Sequence, residues 1–273
     1  MTARTFSRTI LYVVLAIFGV IFLIPVYLLI ITSLKSNSAV SLQQMWALPH
    51  PFGFSGIAQA WHQVAPDMMN SVYLATSATI VVTIIGSING YALSKWKFRG
   101  ANIIYFLILL GMFIPYQSTL IPLIRVLNTL NLFNTIPGLA LVHIVYGIPM
   151  MTLIFRNFFA DIPNELLESA QIDGNGYWGI FRNIMLPLSI PGFVVAAIWE
   201  FTQVWNDFLF GVTVTDPPLQ PVTVAIVNIA GSQHIQWNVL MSSTLIASLP
   251  TLIVYLVLGR YFVRGLLAGS VKG

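Results

Sequence analysis

A long uncharged apolar segment lies close to the N-terminus. No Lys, Arg, Asp or Glu occurs between Arg8 and Lys35, and the segment from Ile10 to Ile31 is almost entirely apolar. At about 1.5 Å per residue, a helix of this length crosses a hydrocarbon core of about 30 Å. A cleaved signal peptide has a shorter apolar region of about 7–15 residues. We therefore expect a membrane-spanning anchor.

Five further apolar segments of similar length follow. Only 7% of the 273 residues are charged and 57% are apolar, against about 25% and about 45–50% in soluble domains. The segments are continuous apolar runs, unlike the alternating pattern of a membrane β-barrel. The sequence therefore predicts an all-α polytopic membrane protein, a single domain over residues 1–273. Six transmembrane helices are expected at about 10–31, 72–94, 103–124, 138–159, 190–212 and 241–262.

The distribution of Lys and Arg predicts the orientation in the membrane. Short cytoplasmic loops retain positive charge, and six helices place both termini on the same side. With cytoplasmic termini, only Lys35 and Arg125 of the 12 cationic residues fall on the outer side. The cationic residues assigned to the cytoplasmic side are Arg4, Arg8, Lys95, Lys97, Arg99, Arg156, Arg182, Arg260, Arg264 and Lys272.

The predicted cytoplasmic loop over 161–189 contains four of the eight acidic residues. Pro163 suits the first turn of a helix, and acidic residues favour a helix N-terminus. Gly174 is typical of a helix C-terminus. A second short helix is expected over 177–185, stopped by Pro187. The loop therefore predicts a helical hairpin.

The first hairpin helix is expected to carry an apolar face. Leu166, Leu167 and Ala170 are spaced to share that face, and an apolar face at the cytoplasmic side requires a surface to pack against. Two alternatives are open at this point. The face contacts either a separate soluble protein or the membrane-spanning part of this chain.

The hairpin also contains fixed residues at fixed spacings. They are Glu168-Ser169-Ala170, three residues, Gly174, nine residues, and Ile184-Met185-Leu186-Pro187. This segment resembles the signature loop of binding-protein-dependent ABC importer permeases, with Ser169 where the family commonly has alanine. The resemblance implies the type I permease fold and a hairpin helix seated in a cleft of a cytoplasmic ATPase. The residues assigned to that contact are Leu166, Leu167, Glu168, Ser169, Ala170 and Gly174.

The segments NGYALSK at 89–95, WNDF at 205–208 and the tail at 261–273 resemble the carbohydrate-uptake branch of this family, in particular its maltose-type second permease. The outer segments QPVTVA at 220–225, GS at 231–232 and WN at 237–238 resemble those of glucose/mannose-type members. The resemblance implies a heterodimer with a related permease, two ATPase subunits, and an external binding protein that delivers a sugar. It also implies a bacterial or archaeal cytoplasmic membrane.

Nucleotide-binding motifs do not fit this chain. The spacing G-x-G-x-x-G occurs from Gly174 to Gly179, but it follows a predicted helix and lacks the βαβ context of a dinucleotide site. No Lys follows a Gly anywhere, so a P-loop is excluded. We expect no enzyme activity, cofactor, metal or nucleic-acid binding in this chain, with ATP and Mg²⁺ on a partner ATPase.

The fifth predicted span contains several polar residues. The spacing puts Glu200, Gln203 and Asp207 on one helix face with Asn206 beside them. A carboxylate facing lipid at mid-bilayer costs about 2.5–3.5 kcal/mol, so this face is expected to look inward. It would line a translocation pathway for the sugar or make interhelical contacts. Carboxylates here also allow an alternative function, a self-sufficient ion-coupled secondary transporter using Glu200 and Asp207.

Further candidates lie elsewhere in the predicted spans. Gln117 and His143 are near prolines that can kink a helix beside a cavity, and they are second-rank pathway residues. Gly86 and Gly90 have the spacing of a helix contact face. The outer segment 213–240 is expected to form a loop with a short helix at 222–230, too short to cross the membrane.

Overall fold

The computed structural model describes the backbone of residues 3–96 and 98–270 and the side chains of residues 8–96, 98–259 and 261. Lys97 and Lys272, used in the predicted charge distribution, lie outside the described residues, as do the last three residues of the tail motif. The side chains of Arg4, Arg260 and Arg264 lie outside them too. The described part of the chain is helical and contains no strand.

Twelve α-helices follow one another along the described chain. Three short 3₁₀ turns and one π-helical turn at Phe181–Met185 complete the described elements. The helices are α1 Ala3–Ser33, α2 Ser55–Lys95, α3 Ala101–Leu110, α4 Tyr116–Thr129, α5 Ile136–Ala160, α6 Asn164–Ile172, α7 Tyr177–Ile180, α8 Leu186–Leu188, α9 Ile190–Trp205, α10 Leu209–Val214, α11 Val222–Ala230 and α12 Trp237–Ser270.

Four of the described helices are long and apolar enough to cross a membrane, in α1, α2, α5 and α12. Two bent pairs raise the number to six if each pair is one span. The first pair, Ala101–Phe113 with Tyr116–Thr129, bends by 101°, and the second, Tyr177–Leu188 with Ile190–Trp205, bends by 75°. These helices agree with the predicted all-α membrane class.

The third and fifth predicted spans are not continuous helices. Over 103–124 the helix breaks at Ile114, which is extended (φ −78°, ψ 117°), because a residue before proline is pushed out of the helical region. Over 190–212 the helix ends at Trp205. The prediction of a continuous helix was therefore wrong for both spans. Hydropathy detects an apolar run but does not detect a break in the helix within it.

Two other predicted boundaries also differ. Helix α2 begins at Ser55, well before the predicted residue 72, because its first turns are too polar to raise hydropathy. Pro187 does not stop the second hairpin helix, since the chain stays helical through Leu188 and bends at Ser189. The predicted short helix in the outer segment is present as α11.

One compact unit contains Met1–Pro66 and Ala225–Leu249. Most of α1 is exposed, while the segment after it is held by hydrogen bonds. Lys35 is buried, and its Nζ donates to the Gln44 carbonyl at 2.7 Å. Burial lowers the pKa of the Lys35 ammonium group, because protein replaces water around the charge. Lys35 therefore has a structural partner inside this unit.

The other compact unit contains Asp67–Val224 and Pro250–Gly273. Its helices α2 and α5 pack closely at two glycines. A Cβ on Gly86 would overlap Met151, and one on Gly90 would lie 2.6 Å from the Phe155 Cβ. The contact face predicted from the G-x-x-x-G spacing is therefore confirmed. The functional elements described next are built on this pair.

Candidate functional site

A cavity of about 190 Å³ lies among α4, α5, α9 and α10 in the second unit. It brings together four residues singled out in the sequence, namely Glu200, Gln203, Asp207 and His143. The other lining residues are Tyr116, Tyr146, Gly147, Trp199 and Phe210. The cavity therefore combines carboxylate, amide and imidazole groups with aromatic walls.

Glu200 lies on α9 and is only 2% exposed. Its Oε2 has no hydrogen-bond partner among the described residues. A Cβ built on Gly147 of α5 would lie 2.6 Å from the Glu200 Oε1, so glycine at 147 leaves the room that this carboxylate occupies. An unpartnered buried polar group costs about 1–3 kcal/mol. Glu200 is thus available to a ligand or water in the cavity.

Asp207 reaches the same cavity from the break after α9. Its carboxylate accepts hydrogen bonds from the backbone N–H groups of Phe210 and Gly211, at 3.4 and 3.0 Å, and so anchors the start of α10. Its Oδ2 lies 3.6 Å from the Nε2 of His143 on α5. Asp207 therefore has a structural role at the break besides its place in the cavity wall.

The aromatic residues that line this cavity were not predicted from the sequence. Tyr146 and Phe210 have ring centroids 5.2 Å apart, and Tyr116 and Tyr146 have centroids 5.5 Å apart. Helical spacing could have indicated two of the missed residues, since Trp199 precedes Gln203 by four positions and Tyr146 follows His143 by three. Tyr116 had no such signal, because it follows the break at Pro115.

Asn206 and Gln117 are not among the lining residues. Asn206 is exposed, and its side chain donates to the Thr202 carbonyl at 2.8 Å. Gln117 is exposed on α4. The continuous helix assumed for 190–212 placed Asn206 beside the polar face, but α9 ends one residue earlier. The structure thus gathers four of the six predicted pathway residues.

The predicted hairpin is present. Helix α6 begins after Pro163, carries Glu165 in its first turn and ends at Ile172. Gly174 follows with φ +83°, a left-handed conformation that glycine adopts readily and residues with a Cβ adopt at a cost. The expected helix start and the glycine stop are confirmed.

The apolar face of α6 differs from the expected one. Leu167 and Ala170 are buried, at 6% and 4% exposure, in a core that includes Phe159 and Ile180. Leu166 is 44% exposed, so its predicted place on the same face was wrong. Successive residues of a helix point about 100° apart, so Leu167 points into the core while Leu166 points away from it. The hairpin thus packs on the membrane-spanning part of its own chain.

A second face of the hairpin remains exposed. Large apolar side chains on it are Leu166, Ile172 and Trp178, the last two being 87% and 61% exposed. Glu168, Ser169 and Gly174 are exposed as well. Of the six residues assigned to a partner contact, four are therefore at the surface and two, Leu167 and Ala170, are internal. Packing on this chain is therefore confirmed for one face, and a contact of the exposed face with a soluble protein stays a prediction.

The C-terminal turns of α2 hold the start of each of the two hairpin helices. Lys95 Nζ donates to the Ile162 carbonyl and, at 3.0 Å, to the Asn164 Oδ1. Tyr91 is fully buried and its hydroxyl donates to the Tyr177 carbonyl at 3.2 Å. Both residues lie in the segment 89–95 that carried the family resemblance, but nothing in the sequence indicated this anchoring role.

Replacement of Lys95 by methionine is expected to loosen the hairpin without unfolding the chain. A hydrogen bond from a charged donor contributes about 1.5–3 kcal/mol, and methionine keeps most of the apolar stem. Hydrogen–deuterium exchange of α6 should become at least about tenfold faster. Arg99→Met, which removes an exposed cation nearby, serves as the control. Unchanged exchange in Lys95→Met would contradict the anchoring role.

The chain is similar in sequence to known transport proteins. The sequence profile of a family described as "Binding-protein-dependent transport system inner membrane component" matches residues 82–267. A protein of Pyrococcus horikoshii described as an ABC transporter permease is 41% identical, covering 98% of each chain. The xylose/arabinose import permease of Haloferax volcanii is 34% identical, covering 93% of this chain and 90% of the relative.

The fold is also similar to that of solved transporters. A bacterial ABC transporter involved in the import of the acidic polysaccharide alginate has a chain that superposes with a TM-score of 0.84 at 20% identity, covering 96% of this chain and 98% of that chain. The alternative of an ion-coupled secondary transporter receives no support from these similarities. This chain belongs to the family of binding-protein-dependent transport system inner membrane components and has the fold of an ABC importer permease.

Proposed function

We propose that this chain is the permease subunit of an ATP-driven importer of neutral carbohydrates. The observation that carries the proposal is the cavity that contains Glu200, Gln203 and Asp207 beside aromatic rings. The names of relatives support the substrate class, since they include a xylose/arabinose permease and a glucose permease from Saccharolobus solfataricus that is 31% identical over 96% of this chain.

The cavity suits a molecule rich in hydroxyl groups. Carboxylates accept hydrogen bonds, and an amide both donates and accepts them, so Glu200, Asp207 and Gln203 offer partners to sugar hydroxyls. The rings of Tyr146 and Trp199 give apolar faces on which the C–H face of a pyranose packs. A hydrogen bond to an ionised carboxylate is stronger than one between neutral groups.

The charge of the cavity favours neutral over acidic sugars. Two of its nine lining residues are acidic and none is Lys or Arg. A uronate or sugar phosphate entering it would bring an anion close to Glu200 and Asp207 without a Lys or Arg in the lining to compensate. Two like charges about 4 Å apart repel by about 4 kcal/mol at an effective dielectric constant of about 20. We therefore infer that anionic sugars are excluded.

Partner subunits complete the proposed importer. They are a related permease that forms the other half of the pathway, two ATPase subunits that hold ATP and Mg²⁺, and an external sugar-binding protein. The exposed hairpin face with Leu166, Glu168 and Ile172 would dock on an ATPase. This arrangement requires cytoplasmic termini in a bacterial or archaeal cytoplasmic membrane, with residues 1–273 acting as one permease domain, as the Lys and Arg distribution predicts.

The proposal is tested by reconstitution. The chain, its partner permease, the ATPase and the binding protein are assembled in proteoliposomes, and ATP-dependent uptake is measured for neutral pentoses, hexoses and disaccharides and for the matching uronates. Uptake of a neutral sugar is expected, with uronate uptake at background. Uptake driven by an ion gradient in liposomes that contain this chain alone would contradict the proposal.

Replacement of Glu200 by glutamine is expected to lower sugar uptake by at least about tenfold, because it weakens a charge-assisted hydrogen bond of about 1.5–3 kcal/mol. Uptake is measured in the same proteoliposomes. Asp216→Asn makes a comparable change at an exposed carboxylate outside the cavity and should leave uptake normal. Normal uptake by Glu200→Gln as well as by Asp216→Asn would show that the Glu200 carboxylate does not contribute to sugar uptake.

A further inference from the structure

A second cavity, of about 380 Å³, lies in the same compact unit between the ends of α2 and α5 and the start of α3. Its lining residues include Ser94, Trp96, Asn102 and Arg156, and it shares no residue with the cavity around Glu200. In the predicted orientation this end of the helices faces the cytoplasm, at the depth of the lipid headgroups.

Two buried polar atoms around this cavity have no hydrogen-bond partner among the described residues. They are the Ser94 Oγ and the Arg156 Nε, each with almost no exposed surface. The guanidinium group only donates hydrogen bonds, and the serine hydroxyl can donate as well. Buried polar groups in native structures are nearly always partnered. A cavity lined by unused donors therefore calls for a ligand with acceptor oxygens.

The charge of the site points to an anion. Arg156 lies within the membrane-spanning helix α5 and is not exposed. Its guanidinium lies over the ring of Tyr105, with Cζ 4.0 Å from the ring centroid, and it forms no ion pair with a described residue. Burying part of a guanidinium group away from water is costly unless it pairs with another group. An anionic ligand would supply the missing charge.

Helix α3 adds donors at the same place. Its first turn contains Asn102, and no side chain caps it, since the residue before it is Gly100 with φ +92°. The first N–H groups of a helix lack partners within the helix and carry partial positive charge. They strengthen a site that already contains Arg156 and the unpartnered Ser94 hydroxyl.

We propose that this cavity binds a phosphate group, with Arg156 and Ser94 donating hydrogen bonds to its oxygens. Arginine matches the geometry of phosphate oxygens, and basic pockets between transmembrane helices on the cytoplasmic side bind phospholipid headgroups. The phosphate comes from a membrane phospholipid or from free phosphate in the cytoplasm. Because the site adjoins Lys95, its occupant would stiffen the α2 end that holds the hairpin.

The experiment measures binding to the full chain, purified in detergent with its partner subunits and stripped of lipid. One arm titrates phosphatidylglycerol and counts retained lipid by native mass spectrometry. The other arm titrates radiolabelled inorganic phosphate by equilibrium dialysis. Saturable binding at about one ligand per chain is expected in at least one arm. Binding in the lipid arm alone identifies a headgroup as the source, and binding in both identifies the phosphate group itself.

Two variants and one control make the assignment specific. Arg156→Gln should weaken binding by at least about tenfold, since it removes a charged donor. Asn102→Asp puts a negative charge at an exposed position in the first turn of α3, where an acidic residue favours the helix, and should weaken binding similarly in a folded chain. Arg125→Gln changes an exposed arginine elsewhere and should bind normally. Absence of saturable binding in both arms, or normal binding by Asn102→Asp, would overturn the proposal.

Discussion

Replacement of Gly90 by valine is expected to prevent the chain from folding. A Cβ at this position would lie 2.6 Å from the Phe155 Cβ and 2.7 Å from the Arg156 backbone nitrogen. Real Cβ atoms do not approach so closely, and part of this contact is with the backbone, which cannot rotate away. Helices α2 and α5 would have to separate, opening voids in a core where overpacking alone costs about 1–3 kcal/mol.

The measurement is the yield of protein in the membrane and its survival in detergent on size-exclusion chromatography. Gly19→Val is the matched control, because Gly19 is also in the middle of a helix and has no atom within 4 Å of a built Cβ. Gly90→Val should give less than about a tenth of the wild-type yield of monodisperse protein, while Gly19→Val stays near normal. A normal yield from Gly90→Val would mean that the close contact of α2 with α5 is absent from the protein.

Replacement of Gly174 by valine is expected to stop ATP-dependent uptake while the chain still inserts and folds. The φ of +83° is costly for a residue with a Cβ and most costly for a β-branched one, about 1–3 kcal/mol. Valine would relieve that strain by turning the hairpin away from its present path. No atom lies within 4 Å of a Cβ built at Gly174, so the loss would come from backbone geometry rather than from a clash.

Gly176→Val is the control in the same turn. A Cβ on Gly176 also meets no atom within 4 Å, and its φ of −79° suits any residue. Uptake and sugar-stimulated ATPase activity are measured in the reconstituted complex. Gly174→Val should lower both by more than about tenfold, with insertion and helicity unchanged, and Gly176→Val should keep most of the activity. Equal loss in the two variants would indicate that bulk at the surface, and not the left-handed turn, is what matters.

Local rules predicted the hairpin and the glycine contacts well. Pro163, Gly174 and the pair Gly86 and Gly90 act through short-range backbone geometry, which spacing reveals. The break at Ile114 also has a local cause in the following proline, but an average over apolar residues conceals it. Such breaks determine which side chains face a cavity, so the prediction included Asn206 and omitted Tyr116.

The tertiary contacts could not be predicted in the same way. Tyr91 and Lys95 hold the hairpin through contacts with residues about 70–90 positions away, such as Ile162 and Tyr177, and no periodicity indicates a partner so distant. The unequal burial of Leu166 and Leu167 depends on the direction of a core built by other helices. The donors around Arg156 were likewise visible only once three segments had been brought together.

The close packing of α2 with α5 gives the molecule a lever. The hairpin is fastened at one end of this pair, while His143 and Gly147, farther along α5, form part of the cavity wall. The segment of α5 from Gly147 to Ala160 is about 20 Å long. A displacement of about 3 Å at the hairpin would therefore rotate this segment of α5 by about 8° if α2 and α5 do not slide along each other. Because α2 and α5 are tightly packed at Gly86 and Gly90, a force applied to the hairpin in the cytoplasm would change the shape of the cavity within the bilayer.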